Sequence, residues 1–376
     1  MSTIHIKQLP RELALSYAAG TNLMLLSKPA VGKSETVEAT AKTMAERVEG
    51  FKLWRFDMTT ANPTDLMAYM PNEETHKLEC YENVMLPNAY ETPDACGFVF
   101  IDEVLNGDPT TVKVFQKYIN GESIGDRLRK PDRVTCIMAS NRMGDKAGVM
   151  QQSRAFLRRT EQVEVYSDAK HNIGFAEKAN WWPVVIEFMK KFPELIDTYD
   201  TVYDPEVQKE KKLSKDDIVE ASEEGKRGIW ANMASWTRIS KLEYAAQSLK
   251  LEMNPSRFTS NVGKAVGMQY TTFRAMYDKI ATVEDILKNP KGVEIPENMS
   301  QLFVMVCMLS QLVPQDAMTK AAVFIDRLPG DIRAMVIRRL VLRSQKNRAE
   351  FDIGSCKEYQ KWMQDPAVSD LFMAAR

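Results

Sequence analysis

At 376 residues the chain is too long for one small core, so two or three domains are expected. With 44% apolar and 27% charged residues it has the composition of an ordinary globular protein, and a net charge of −1 offers no global steering toward nucleic acid or an anionic membrane. Five scattered cysteines without CxxC spacing argue against a disulfide framework or a zinc site, and three distant histidines (His5, His76, His171) fit His-based metal or triad chemistry poorly.

The N-terminal stretch MSTIHIKQLPREL has no apolar core of signal-peptide length. No apolar run anywhere reaches the roughly 18 to 20 residues of a membrane span. A reduced, cytoplasmic setting follows as the expectation, and any catalysis has to come from carboxylates, lysines or a bound cofactor.

Over the first 170 residues short apolar runs alternate with helical stretches, the pattern of an α/β domain with a parallel sheet. Strands are predicted at 22–27 (NLMLLS), 53–58 (LWRFDM), 97–102 (GFVFID), 134–140 (VTCIMAS) and 162–166 (QVEVY), with helices at 34–47 and 110–119. The third and fourth strands are nearly continuous apolar runs, as central strands buried on both faces require.

From about residue 172 the pattern turns helical, with apolar residues at helical spacing over 182–191, 236–250, 301–313 and 331–343. The stretch 209–227, KEKKLSKDDIVEASEEGKR, is dense in charge and poor in large apolar residues; a mobile loop is expected there, with a partner-docking segment as the alternative. In DIRAMVIRRLVLRSQKNR the positive charges raise the question of nucleic acid. Ile332, Met335, Val336 and Leu340 recur at helical spacing, which predicts a packed helix with a solvated basic face. Trp181 and Trp182 read as core or interface.

The segment NLMLLSKPAVGKSETVEATAKTMAE is an apolar strand, a tight loop ending in Gly-Lys-Ser, and a helix. That context makes a phosphate loop credible, because a loop entering a helix N-terminus aims several backbone N–H groups at one spot and the helix dipole adds to their field. Ser27, Lys28, Pro29, Ala30, Val31, Gly32, Lys33, Ser34 and the following Glu35 are the predicted nucleotide-binding residues. Gly32 lets the backbone turn, Lys33 reaches the β- and γ-phosphates, and the Ser34 hydroxyl ligates Mg²⁺. Ser27 stands where the pattern has its first glycine, and Lys28-Pro29-Ala30 where Pro-Pro-Gly is common.

GFVFIDEV delivers Asp102 and Glu103 to a strand's C-terminal end, where ligands bind in open α/β sheets. Asp102 is placed to hold Mg²⁺ and Glu103 to orient or deprotonate the attacking water. The next strand ends at Asn141, whose amide suits polarising that water, an Asx turn or helix cap being the alternative. Further on, FLRRTEQVEV places Arg158 and Arg159 before the last strand; a cation there is the kind supplied in trans to a neighbour's γ-phosphate, although surface arginine pairs are also common.

Together these elements resemble an AAA+ ATPase of the MoxR-type, dynein-related branch. The resemblance rests on GFVFIDEVLNGDPTTVKVFQKYING, ASNRMGDKAGV and AFLRRTEQVEV, and more weakly on WTRISKLEYAA, VEDILKNPKGVEIPENMSQLFVMVCML and FIDRLPGDIRAMVIRRL. It implies a P-loop sheet of order 5-1-4-3-2 between helices, then a helical lid and a C-terminal helical extension, with boundaries at 1–170, 171–250 and 251–376. It also implies ATP/ADP and Mg²⁺ as ligands and a homo-oligomeric ring, six-membered by expectation. The partner would be a protein client remodelled in a chaperone-like way, of the kind that bears a von Willebrand factor A domain. FDMTTANPTDLMAYMP resembles the stretch facing the central pore in such rings, and LECYENVMLP suits a hairpin inserted in the second helix.

Residue by residue the resemblance assigns Lys33, Ser34, Asp102, Glu103, Asn141 and, by position in the finger motif, Arg159. Arg158-Arg159-Thr160 replaces Asn-Arg-Phe, leaving open which arginine acts. The lid arginine falls on Ala234, and Arg238, one helical turn later, either takes over its γ-phosphate contact or is a surface residue. Two other functions fit the same motifs: a nucleic-acid-stimulated motor or loader, for which the near-neutral charge is a mild negative, and a nucleotide-binding scaffold with weak or no hydrolysis, suggested by Ser27 and Ala234.

Overall fold

The computed structural model describes residues 2–65, 67–82, 86–124, 128–142, 160–277, 280–346 and 348–364. The chain folds as two compact units, Met1–Asp168 and Ala169–Arg376.

The first unit is built on a parallel sheet of β1 (Ser2–His5), β2 (Leu23–Ser27), β3 (Phe51–Asp57), β6 (Cys96–Asp102), β7 (Val134–Asn141) and β8 (Glu161–Tyr166). The strand order is β1-β8-β2-β7-β6-β3. For the five strands expected from sequence this is 5-1-4-3-2. A sixth, β1, is added at the edge beside β8.

Strand geometry explains why the central runs are so apolar. Side chains alternate between the two faces of a strand. Leu23 and Leu25, Phe98 and Phe100, and Ile137 and Ala139 share one core with Leu9 and Leu13 of α1 (Leu9–Ala19) and Val37 and Ala41 of α2 (Lys33–Ala45). Met24 and Leu26, Val99 and Ile101, and Cys136 and Met138 share the other with Val112, Phe115, Tyr118 and Ile119 of α3 (Pro109–Ile119). A strand covered on both sides has no polar face to show. Gly97 marks a close approach in the sheet: with φ +144°, a Cβ there would lie 1.9 Å from the Lys52 carbonyl oxygen of β3.

Between β3 and β6 lies an antiparallel hairpin of β4 (Met67–Asn72) and β5 (Lys77–Glu82), so the segment 78–87 expected to form a hairpin supplies only part of its second strand, and the first strand falls in the stretch expected to face a pore. The hairpin does not interrupt a helix: among the described residues the only helical piece there is the 3-10 turn Pro63–Asp65. Local polar chemistry accounts for this. Asp57 Oδ1 accepts from the Thr59 amide and hydroxyl, and Asp65 Oδ2 accepts from the Asn62 amide, so the chain after β3 is committed to turns.

The second unit is helical, and its core runs continuously from Ala176 to Trp362. At its centre Phe188, of the helix Pro183–Lys191, packs against Trp236 of Met233–Leu249 and against Tyr270 and Phe273 of Lys264–Ala275. Trp181 and Trp182 are buried core residues. Among the described residues no single helix is long and apolar enough to cross a membrane. Gln301–Leu312 and Gln315–Ile325 pass that test only as a pair bent by 119°, and their Val304, Val306, Leu309 and Phe324 lie inside the core.

Two expectations for this unit are corrected. The charged stretch 209–227 is helical, not a loop, over Pro205–Glu210 and Lys215–Lys226. Its ends explain this: Ser214 and Asp217 form a capping box, Asp216 and Asp217 sit in the first turn and Lys226 in the last, and Gly225 is buried against Val202 and Tyr203. In Gly330–Lys346, Ile332, Val336 and Leu340 are buried as expected, but Met335 is exposed and the basic face is not simply solvated. The Arg343 guanidinium donates to the Ser310 and Val313 carbonyls, 3.3 and 2.8 Å away, where the helix Met299–Leu312 leaves them unpaired, and it stacks on Phe351. Arg339 pairs with Glu177 and stacks on Phe303.

Candidate functional site

Parallel register brings four strand ends to one edge of the sheet. Ser27 at the end of β2 stands opposite Asn141 at the end of β7, and Asp57 at the end of β3 stands opposite Asp102 at the end of β6. The loop from Lys28 to Gly32 leaves β2 at this edge and enters α2. Gly32 has φ +96°, which favours glycine. Ala30 has φ +61° without that freedom, a left-handed conformation costing about 1–2 kcal/mol for an L-residue. The strained alanine lies where the sequence pattern commonly has glycine.

Lys33, the first residue of α2, points back under the loop. Its Nζ donates to Ser27 Oγ at 2.7 Å and to the Ser140 carbonyl at 3.0 Å. Both Lys33 and Ser27 are buried, at 8% and 1% exposure. Ser27 Oγ donates its own hydrogen to the Lys28 carbonyl at 2.6 Å, so its lone pairs are what Lys33 meets. Ser27 therefore does more than tolerate the loss of a glycine: it is an acceptor for the loop lysine.

Ser34 Oγ donates to Asp102 Oδ2 at 2.9 Å, and the Glu103 amide donates to Asp102 Oδ1 at 3.1 Å. A hydroxyl directly against a carboxylate at a helix N-terminus is an oxygen donor set that suits Mg²⁺ beside a phosphate.

Glu103 has φ +51°, which turns the chain out of β6 into the short 3-10 helix Val104–Asn106. Its carboxylate receives the Asn141 amide, with Nδ2 at 3.4 Å from Oε1 and 3.3 Å from Oε2. Burial, the largest influence, pushes the Glu103 carboxyl above its ordinary range. Lys33 opposes this, Asp102 and Asp57 add to it, and the Asn141 hydrogen bond opposes it.

Besides Asp57, two residues not assigned from sequence belong to this edge. The Ser140 carbonyl holds Lys33, while its hydroxyl accepts from the Leu105 amide at 3.4 Å. Asn106 Nδ2 donates to Glu103 Oε2 at 2.6 Å. The sequence signal for Asn106 is only its place three residues after Glu103, on a turn that folds back.

A cleft of ≈ 470 Å³ lined by Arg55, Phe56, Asp57, Thr60, Ala61, Asp65 and Asp102 opens beside Asp102. Another, of ≈ 550 Å³, flanks β3 at Lys52 and Trp54 and includes none of the motif residues. Arg158 and Arg159 lie outside the described residues. Arg238 lies in the helical unit, exposed, with Nε donating to Asn261 Oδ1 at 2.8 Å, and Ala234 is exposed one turn before it.

No protein-family model and no curated protein matches the chain. Among solved structures, the chain is similar to a candidate ATPase from Cytophaga hutchinsonii, with 13% identity and a TM-score of 0.31, over 95% of this chain and 79% of that one. It is also similar to Hsp104 in its closed state with ATPγS and FITC-casein, with 12% identity and a TM-score of 0.32, over 46% of this chain and 38% of that one. Both superpositions are loose. The α/β P-loop fold with a helical C-terminal part stands on the sheet order and the loop geometry.

Proposed function

We propose that the chain is an Mg²⁺-dependent ATPase of AAA+ type, in the MoxR branch. The observation that supports it most is the chain of contacts at one sheet edge: Lys33 on Ser27 and Ser140, Ser34 on Asp102, and Asn141 on Glu103. Three strand ends and one helix N-terminus thereby present a cation, a hydroxyl–carboxylate pair and an amide-held carboxylate side by side.

In this proposal Lys33 leaves Ser27 for the β- and γ-phosphates, and the backbone of residues 28–34 with Glu35 cradles the nucleotide. Ser34 and Asp102 hold Mg²⁺, which when bound neutralises charge on the phosphate oxygens. Glu103 accepts the proton of the attacking water and Asn141 orients that water. Arg159 or Arg158 completes a neighbouring subunit's site in a ring, by expectation a hexamer. The helical unit serves as lid and extension, with Arg238 as the candidate lid arginine. Hydrolysis is spent on a protein client, with a von Willebrand factor A domain protein as the partner class.

The test is Glu103→Gln. It should keep ATP binding and lose about 10²- to 10⁴-fold in turnover, the contribution of a positioned base. Undiminished phosphate release from this variant refutes the assignment. Sizing the protein with and without ATP and Mg²⁺ tests the ring, which requires a nucleotide-dependent shift to an assembly of about six subunits.

A further inference from the structure

The side chain of Asn106 lies against the carboxylate that the proposed reaction uses, and its contacts show what it does there. The turn that carries it is firmly set. The Asn106 amide donates to the Glu103 carbonyl at 2.9 Å, Val104 and Leu105 are both buried, and the Leu105 amide is tied to Ser140 of β7. On that base the side chain folds back three residues and its Nδ2 meets Glu103 Oε2 at 2.6 Å, far closer than either contact from Asn141.

The other end of the amide, Oδ1, is buried and accepts no hydrogen bond among the described residues. Nothing else there orients the amide. Reversing it would aim a carbonyl oxygen at a carboxylate, so Glu103 sets its direction and it in turn sets Glu103. The two carboxylate oxygens are consequently unequal. Oε2 receives a short bond from Asn106 and a long one from Asn141, whereas Oε1 receives only the 3.4 Å contact from Asn141 among the described residues.

We propose that Asn106 is a positioning residue for the base: it commits Oε2 of Glu103 and leaves Oε1 as the oxygen that takes the proton of the attacking water. This rests on the ATPase reading above. In the step it serves, one water O–H proton passes to Oε1 and the water oxygen bonds the γ-phosphorus. The bond from that phosphorus to the bridging oxygen breaks, and its electron pair leaves on ADP. Asn106 touches neither water nor phosphate and acts through the carboxylate alone.

The test compares steady-state and single-turnover hydrolysis by the full chain in wild type, Asn106→Ala and Asn106→Asp, each also made in the Glu103→Gln background. Aspartate keeps the shape of the side chain and removes the donor, so it serves if the alanine variant folds poorly. Both single variants should lose about 100-fold in kcat, the cost of misplacing a reacting group by about 1 Å, with KM unchanged. In the Glu103→Gln background neither should slow the residual rate further, because the group through which Asn106 acts is gone. Unchanged kcat in both single variants, or the same fold-loss in both backgrounds, overturns the inference while leaving the ATPase reading intact. Absence of hydrolysis by the wild-type protein overturns both.

Discussion

Ser27→Ala isolates the feature that most sets this phosphate loop apart. The variant removes the acceptor 2.7 Å from Nζ of Lys33, a residue 8% exposed whose ammonium also donates to the Ser140 carbonyl. A hydrogen bond to a charged group contributes about 1.5–3 kcal/mol, and the lysine is too buried for water to replace it. For a unit the size of the first, about 2–4 °C per kcal/mol makes the expected drop in Tm without nucleotide about 3–12 °C. On the proposed function Lys33 exchanges Ser27 for phosphate oxygens when ATP binds, so the bound state would lose little by the substitution. Linkage then requires the variant to bind ATP more tightly than wild type, by up to about 10- to 150-fold at about 1.4 kcal/mol per decade. The assay is thermal unfolding across an ATP–Mg²⁺ titration, with direct nucleotide titration for the affinity. Equal nucleotide-free Tm values would show that Ser27 does not hold the lysine. A lower Tm with unchanged or weaker ATP affinity would show that Lys33 keeps Ser27 when nucleotide binds.

On the proposed function, with Glu103 as the base, its raised pKa should make hydrolysis pH-dependent: kcat should fall with decreasing pH at a higher pH than a solvated glutamate would give, and Glu103→Asp should shift that limb. The same shift has a sign for stability. A carboxyl raised in the folded state contributes stability that is fully present below its unfolded value, 4.5, and lost as pH rises through the folded value; Tm measured above that window should therefore be higher in Glu103→Gln than in wild type. Ser214→Ala removes the capping box of Lys215–Lys226 and should cost about 0.5–2 kcal/mol by denaturant unfolding, with no loss expected if the segment is a loop. Gly97→Ala places a Cβ 1.9 Å from the Lys52 carbonyl oxygen and should destabilise by about 4 kcal/mol or more, read as failure to recover folded protein or as a collapse of the denaturation midpoint.

What could be read in the sequence follows from which forces act locally. The runs at 97–102 and 134–140 announce themselves because both faces of β6 and β7 are covered, so every residue is selected for burial. β1 is hidden for the opposite reason: it has four residues, it lies at the sheet edge, and none of its side chains is fully buried, so its existence depends on β8 being there to pair with. Strands β4 and β5 include Pro71 and expose Met70 and Leu78, so they lack the apolar run of a buried strand, and the Asn72 turn between them is their local trace. At 209–227 composition misled, because charge density says nothing about whether the ends are capped. The Ser214–Asp217 signature was present in KLSKDD and outweighs the shortage of large apolar residues.

The site divides along the same line. Ser27, Asp102 and Asn141 were legible because each is the last residue of a strand, and parallel register brings strand ends to one edge whatever the loops do. Lys33 and Ser34 follow from the loop that must join β2 to α2. Asn106 had no such guarantee: its contact with Glu103 requires a left-handed residue, a 3-10 turn and two buried apolar anchors to act together, and no periodicity encodes that combination. Ser27 and Ala30 illustrate the remaining limit. Motif matching treats both as lapses from glycine, yet one accepts the buried lysine and the other holds a left-handed backbone without a glycine's freedom. At these positions the departure from the pattern is itself the physical content, and it emerges only when the partner atoms are known.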